Sequence, residues 1–182
     1  MRSISSILGK RANSGSAAIE FAIVAPVFLL MMFAILETSM VFFANMTLDN
    51  AVLTTGRLIR TGQQQSQNKT QTDFRTAVCD EIKALLSCDA QHLFVDVRAF
   101  TNFNGTNFPP ALDGQGNLNP NLNSYQPGGS SQTPGQNPIV SVRVLYKWKL
   151  YTPMFSTYFE NMGTGSGTRL LAFSAAFKNE PY

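Results

Sequence analysis

The chain is poor in the residues on which most enzyme and metal centres depend. It has one histidine, His92, and two cysteines, Cys79 and Cys88. Those are too few for the four suitably spaced ligands of a structural zinc site. No nucleophile and base arrangement surrounds His92, and a lone histidine at the start of a strand is read as structural. The acidic residues form no paired motif of the kind a glycosidase needs. Gly163-Thr164-Gly165-Ser166-Gly167 lacks the lysine of a phosphate-binding loop, so it reads as a turn. The expectation is a protein that is not an enzyme and carries no cofactor or metal.

An excess of positive charge is also missing from most of the chain. Arg2, Lys10 and Arg11 precede Gly15 without an acid, so 3 of the 14 basic residues lie there and the remaining 11 balance the 11 acids. The formal charge of +3 belongs to this short leader alone. A nucleic-acid binder is expected to carry a basic face on its folded part. That class is excluded here.

What the chain does have is one long apolar run. From Phe21 to Ala44 the only polar residues are Glu37, Thr38 and Ser39. As a helix it would be about 36 Å long, enough to cross a ~30 Å hydrocarbon core with some tilt. Pro26 should kink that helix or mark a contact. Basic residues precede the run, which puts the leader in the cytoplasm and everything after about Asn45 in the periplasm or outside the cell.

Two carboxylates make the run unusual. Glu20 stands at its mouth, just before Phe21. Glu37 would sit roughly 7–8 Å from the middle of the span, where an unpartnered acid costs a few kcal/mol. Over a regular helix the two are rotated by about 260° from one another, so a single neighbour would not satisfy both. For Glu20 a simple place in the headgroup region is the plainer alternative. A secretory signal has a 7–15-residue apolar core followed by its small-residue cleavage site. Here the small residues and Gly15 come first, so cleavage after Gly15 would leave the hydrophobic segment on the mature chain. The rival reading is an uncleaved signal anchor.

Beyond the run, Leu48, Val52 and Ile59 fall near one helical face, with Asp49, Arg57 and Arg60 elsewhere. Gly62 and the polar residues after it read as the stop. A second helix starts at Thr72 or Asp73 and carries Phe74, Ala77, Val78, Ile82, Leu85 and Leu86 at helical spacing. In one continuous helix Cys79 and Cys88 would lie about 13.5 Å apart on opposite sides. A disulfide needs Cα atoms within about 7 Å, so it requires the helix to end near Leu86 or Ser87 and turn back. An exported domain permits such a bond. The alternative is two buried thiols.

Three alternating patterns predict strands: Leu93 to Phe100, Val140 to Leu150 and Leu171 to Phe177. The second places Val140, Val142, Val144, Tyr146, Trp148 and Leu150 on a buried face, and Ser141, Arg143, Lys147 and Lys149 on an exposed one. Between the first two strands, residues 101–138 are dominated by Asn, Gly, Pro, Gln and Ser and read as a disordered-like, exposed loop. The fold class is α+β: a long N-terminal membrane helix, a second helix and a small, mainly antiparallel sheet.

Gly15, four small or apolar residues, Glu20-Phe21 and the long apolar helix resemble the processing site of type IV pilins. More closely, the chain resembles the TadE family of minor pilins, or pseudopilins, of the tight-adherence (Flp) pilus. Glu37, Arg57-Leu58-Ile59-Arg60-Thr61-Gly62-Gln63, Val78-Cys79 to Cys88, and Phe177-Lys178-Asn179-Glu180-Pro181-Tyr182 carry the similarity onward. The resemblance implies a pilin-like fold divided into a leader (1–15), an assembly helix (16–45) and an extracytoplasmic domain (46–182). It implies cleavage between Gly15 and Ser16 by a prepilin peptidase, and a single pass through the bacterial inner membrane or a place in an extracellular pilus. Its partners would be other pilins and pilus-assembly membrane proteins, met through Glu20, Phe21 and Glu37. In related pilins the glutamate pairs with the new N-terminal amine of a neighbouring subunit. Ser16 departs from the Phe that begins mature type IVa pilins, which leaves N-terminal methylation without support.

Overall fold

The computed structural model describes residues 5–128, 138–152 and 156–180, with side chains from Gly15 onward. Arg2, the side chains of Lys10 and Arg11, part of the Asn/Gly/Pro-rich segment and the terminal Pro181-Tyr182 lie outside the described residues.

One helix dominates. α1 runs from Ser5 to Arg60, 56 residues, and continues through Pro26. The proline ring supplies no N–H, so the Ala22 carbonyl lacks its usual donor. The helix stops where the sequence indicates: Gly62 takes φ 74°, a left-handed conformation that glycine adopts without a Cβ penalty. Its N–H donates to the Ile59 carbonyl at 3.0 Å. A short turn of helix, α2 (Gln63–Ser66), then leads to α3 (Gln71–Ile82). The start of α3 is set by a capping box not foreseen from the sequence: Thr70 Oγ1 accepts from Asp73 N–H, and Asp73 accepts from Thr70 N–H. Those bonds hold the Asp73 carboxyl below its ordinary range.

The three predicted strands are present as β1 (Leu93–Phe100), β2 (Ile139–Lys149) and β3 (Thr168–Lys178), antiparallel in the order β1-β2-β3. A 3₁₀ turn at Phe103–Gly105 follows β1, and a single helical turn, α4 (Ser156–Phe159), precedes β3. The register sets Val95 opposite Val144 and Val97 opposite Val142, with Phe173 and Ala175 beyond them on β3. One sheet face therefore carries a continuous apolar layer. It packs on α1 through Leu48, Val52 and Ile59, and on α3 through Phe74, Val78 and Ile82, all essentially inaccessible to solvent. Burying each such side chain contributes about 1.5–3 kcal/mol.

Helix and sheet match in length. At ~3.3 Å per residue β2 rises about 33 Å, and the half-helix from Glu37 to Arg60 rises about 35 Å. The two run antiparallel: the Lys178 end of the sheet meets the end of α1, where Glu180 N–H donates to the Arg60 carbonyl at 2.9 Å. A Cβ on Gly56 would come within 3.1 Å of the Phe177 ring, so any larger residue there would have to displace that ring. The segments Arg57-to-Gln63 and Phe177-to-Glu180, far apart in sequence, thus form one corner of the fold.

The second sheet face departs from expectation. Ser141, Arg143 and Leu145 are buried, not exposed. The segment expected to be an exposed loop covers them: Leu122 packs with Leu145 and Leu170, flanked by Phe94, Leu112 and Leu118. At the heart of this layer Asp96, fully buried, lies opposite Arg143 in the register. Its carboxylate takes Arg143 Nη2 at 2.8 Å and Arg98 Nε at 3.0 Å. The guanidinium groups then reach the segment itself, Arg143 to the Pro109 carbonyl at 2.8 Å and Arg98 to the Asn121 carbonyl at 2.5 Å. The same segment closes the β1 edge, with Val97 N–H donating to Ser124 O and Gln126 N–H to Val97 O. Pairing the edge strand removes a template for aggregation. Tyr125, at this edge, sits 6.0 Å from the Phe74 ring, and burial pushes its phenol up to about 12.

Cys79 and Cys88 form a disulfide with a Cα separation of 5.6 Å. The geometry comes from α3 ending at Ile82, earlier than expected. Leu86 then turns into the core while Leu85 stays outside.

Candidate functional site: the assembly helix and its junction with the C-terminal domain

The first half of α1 stands alone. Ile19, Phe21, Ile23, Val24, Val27 and Phe28 are each more than 60% exposed, an unfavourable display in water and the normal state of a helix in lipid. From Gly15 the helix is long and apolar enough to cross a membrane. The hydroxyls in its second half are satisfied by the helix itself: Thr38 Oγ1 donates to the Ala34 carbonyl and Ser39 Oγ to the Ile35 carbonyl, both at 2.8 Å. Such back-bonding lets hydroxyls sit in an apolar stretch without unpaired donors.

Gly15 and Ser16 lie within this helix, and the space around Gly15 is open. Glu20 is exposed. Its one described contact is a 3.2 Å bond accepted from Ser16 Oγ, one turn back. Phe21 is exposed beside it.

Glu37 is arranged quite differently. It is the first buried residue of α1 among those described, 6% exposed. Its two carboxylate oxygens accept the backbone N–H groups of Tyr151, at 2.5 Å, and Thr152, at 2.8 Å. The sequence pointed to a partner on another chain, at a depth well inside the bilayer; the acid is instead occupied by the chain's own residues just after β2. Val41 and Ala44 follow it into the core, so a domain boundary at residue 45 or 46 would cut through a packed stretch. The structure does not bring Glu20 and Glu37 together.

Other polar groups settle into structural roles. His92 Nδ1 lies 2.7 Å from Asp89 Oδ1, and this contact lowers the Asp89 carboxyl. The glycine-rich turn wraps around a residue the sequence did not single out: Glu160 accepts from Gly165 N–H at 2.6 Å and Gly167 N–H at 2.7 Å, which lowers its carboxyl. Among the described residues no group of three or more His, Cys, Asp or Glu is placed to hold a metal. The Asp96 cluster and the Glu37 contact also escaped the sequence. Both join residues more than 40 positions apart, and only the strand register reveals them.

A solitary apolar half-helix whose other half forms the core of a small antiparallel-sheet domain defines a pilin-like α+β architecture. Residues 15–57 match the family of TadE-like proteins, in agreement with the resemblance read from the sequence. The match covers the free half of α1 and most of the half that enters the core. No curated protein and no solved structure matches the chain.

Proposed function

We propose that the chain is a minor pilin or pseudopilin of a tight-adherence pilus, cleaved between Gly15 and Ser16 by a prepilin peptidase. The observation that carries this reading is the exposed apolar half-helix with a single acid, Glu20, at its entrance and no C-terminal domain packed on it. Before assembly this helix anchors the chain in the bacterial inner membrane, leader in the cytoplasm and C-terminal domain in the periplasm. During assembly it packs among the helices of other pilins and pilus-assembly membrane proteins.

Cleavage gives Ser16 a free amine and makes Glu20 the fifth residue of the mature chain. The amine of one subunit and the Glu20 carboxylate of another neutralise one another in a low dielectric, far better than burying either charge alone. The pair also sets axial register, the best-attested use of a buried ion pair. The exposure of Glu20 and the lack of any cation beside it among the described residues support this role.

Mass spectrometry of sheared pili and of the membrane fraction tests the reading. The expected mature chain begins at Ser16, is absent from cells lacking the peptidase, and is blocked by substitution of Gly15. Glu20→Ala should leave cleavage intact and abolish or sharply reduce pili and adhesion. A chain that keeps Met1 in wild-type cells overturns the proposal in favour of an unprocessed single-pass anchor.

A further inference from the structure

The half of α1 from Gly15 to Leu36, apolar but for Ser16 and Glu20, is about 33 Å long, close to the thickness of a hydrocarbon core. The helix enters the C-terminal domain at Glu37, and the chain that meets it there is the segment just after β2, bonded through Tyr151 and Thr152 N–H. Two backbone bonds therefore hold this end of the sheet at the level where hydrocarbon would give way to headgroups. The side chains displayed there suit that level. Tyr151 is 74% exposed, and the Lys149 ammonium lies 5.9 Å from its ring centroid. A large aromatic ring turned outward gains nothing in water. Tyrosine favours the membrane interface, with its ring among the lipid carbonyls and its hydroxyl wet, and lysine reaches from there to phosphate.

We propose that Lys149 and Tyr151 form a foot resting on the phospholipid headgroup layer on the side of the membrane that holds the C-terminal domain. Its partners are lipid phosphate for the ammonium and the carbonyl region for the phenol. A helix alone leaves tilt and rotation free, and interfacial anchors set both. The foot stands off the helix axis, so it fixes which way the domain faces before assembly. The proposal rests on the reading that α1 crosses a bilayer.

The test uses the full chain in vesicles of three parts phosphatidylcholine to one part phosphatidylglycerol. Each variant carries a single tryptophan in a Trp148→Phe background, a change that removes a buried indole N–H without a partner. Phe28→Trp reports the middle of the span. Phe103→Trp reports the far end of the sheet, since Phe100 pairs with Ile139, about 33 Å along β2 from Lys149. Lipids brominated near the headgroup should quench Tyr151→Trp at least about twofold more than lipids brominated near the chain ends. Phe28→Trp should show the reverse order, and Phe103→Trp should not be quenched. If Phe28→Trp is deeply quenched while Tyr151→Trp behaves like Phe103→Trp, the foot is wrong and the span stands. If Phe28→Trp is not quenched, the span fails and the foot fails with it. Hydroxyl-radical labelling of the unaltered chain supplies a second readout, normalised to the unfolded chain. Tyr151 should be protected in vesicles at least threefold more than Phe103, and equal labelling overturns the foot.

Discussion

Replacing Glu37 by alanine tests the junction most directly. The carboxylate accepts two backbone N–H groups, and bonds to a charged acceptor contribute about 1.5–3 kcal/mol each. The two are not equivalent. The Thr152 bond is buried, so its N–H would be left without any partner, whereas the Tyr151 bond is only partly buried. The expected loss is therefore about 2–4 kcal/mol, less than the sum of two fully buried bonds. Glu37→Gln keeps one carbonyl oxygen and should lose about half as much. Chemical unfolding in detergent, followed through Trp148 one strand-end away, measures the global effect. Amide hydrogen exchange at Thr152 measures the local one, where a loss of ~3 kcal/mol corresponds to about a hundredfold faster exchange. If Glu37→Ala unfolds within about 0.5 kcal/mol of the parent and Thr152 keeps its protection, the carboxylate does not hold the junction.

Two further outcomes follow from the polar contacts of the domain. Asp96→Ala leaves two guanidinium groups facing an empty site and should cost about 3–5 kcal/mol, with new proteolytic cuts within residues 106–128; replacing Asp96 and Arg143 together by apolar residues should recover part of the loss, and an unchanged cleavage pattern in Asp96→Ala would contradict the pinning role. Glu160 has its carboxyl lowered from 4.5 by the Gly165 and Gly167 amides, so its contribution is fully present above pH 4.5 and is lost as pH falls through the lower folded value. The Gly165 and Gly167 amide resonances should shift and exchange faster below that point. Glu160→Gln should loosen the same amides at neutral pH, and an unaffected turn there would show that it stands without the carboxylate.

Local pattern made much of this fold legible. Alternation located all three strands, and Leu48, Val52 and Ile59 marked the helical face that enters the core. The stop at Gly62 followed from backbone freedom alone. The failures share a different cause. An apolar helical run reads the same whether lipid or protein will cover it, so Val41 and Ala44 seemed to extend the span, whereas they pack in the core and Glu37 meets Tyr151 and Thr152 N–H. Composition misled in the same way at residues 101–138. Among many polar residues, Leu112, Leu118 and Leu122 suffice to cover a sheet face once Arg98 and Arg143 fasten the main chain. The polar side of β2 seemed solvent-facing because nothing in its own sequence announces Asp96 opposite Arg143. At the proposed processing and assembly positions, Glu20 could be singled out because an acid beside a membrane-length helix is a costly anomaly, and Gly15 because the small residues precede the apolar run instead of following it. Glu37 was an anomaly of the same kind, but its partner depends on where β2 ends.

The continuity of α1 has a mechanical consequence. No linker separates the apolar half from the half that carries the sheet, and β2 lies alongside the helix from Glu37 to Arg60. A pull on the N-terminal end therefore travels along one rod and enters the domain as shear, spread over Leu48, Val52, Ile59 and the paired strand. Shear loads many side chains at once, where peeling would load them one after another. The Glu37 bonds at one end and the Arg60–Glu180 contact at the other sit where such a load concentrates. Pulled lengthwise, helix and domain would move as a single piece.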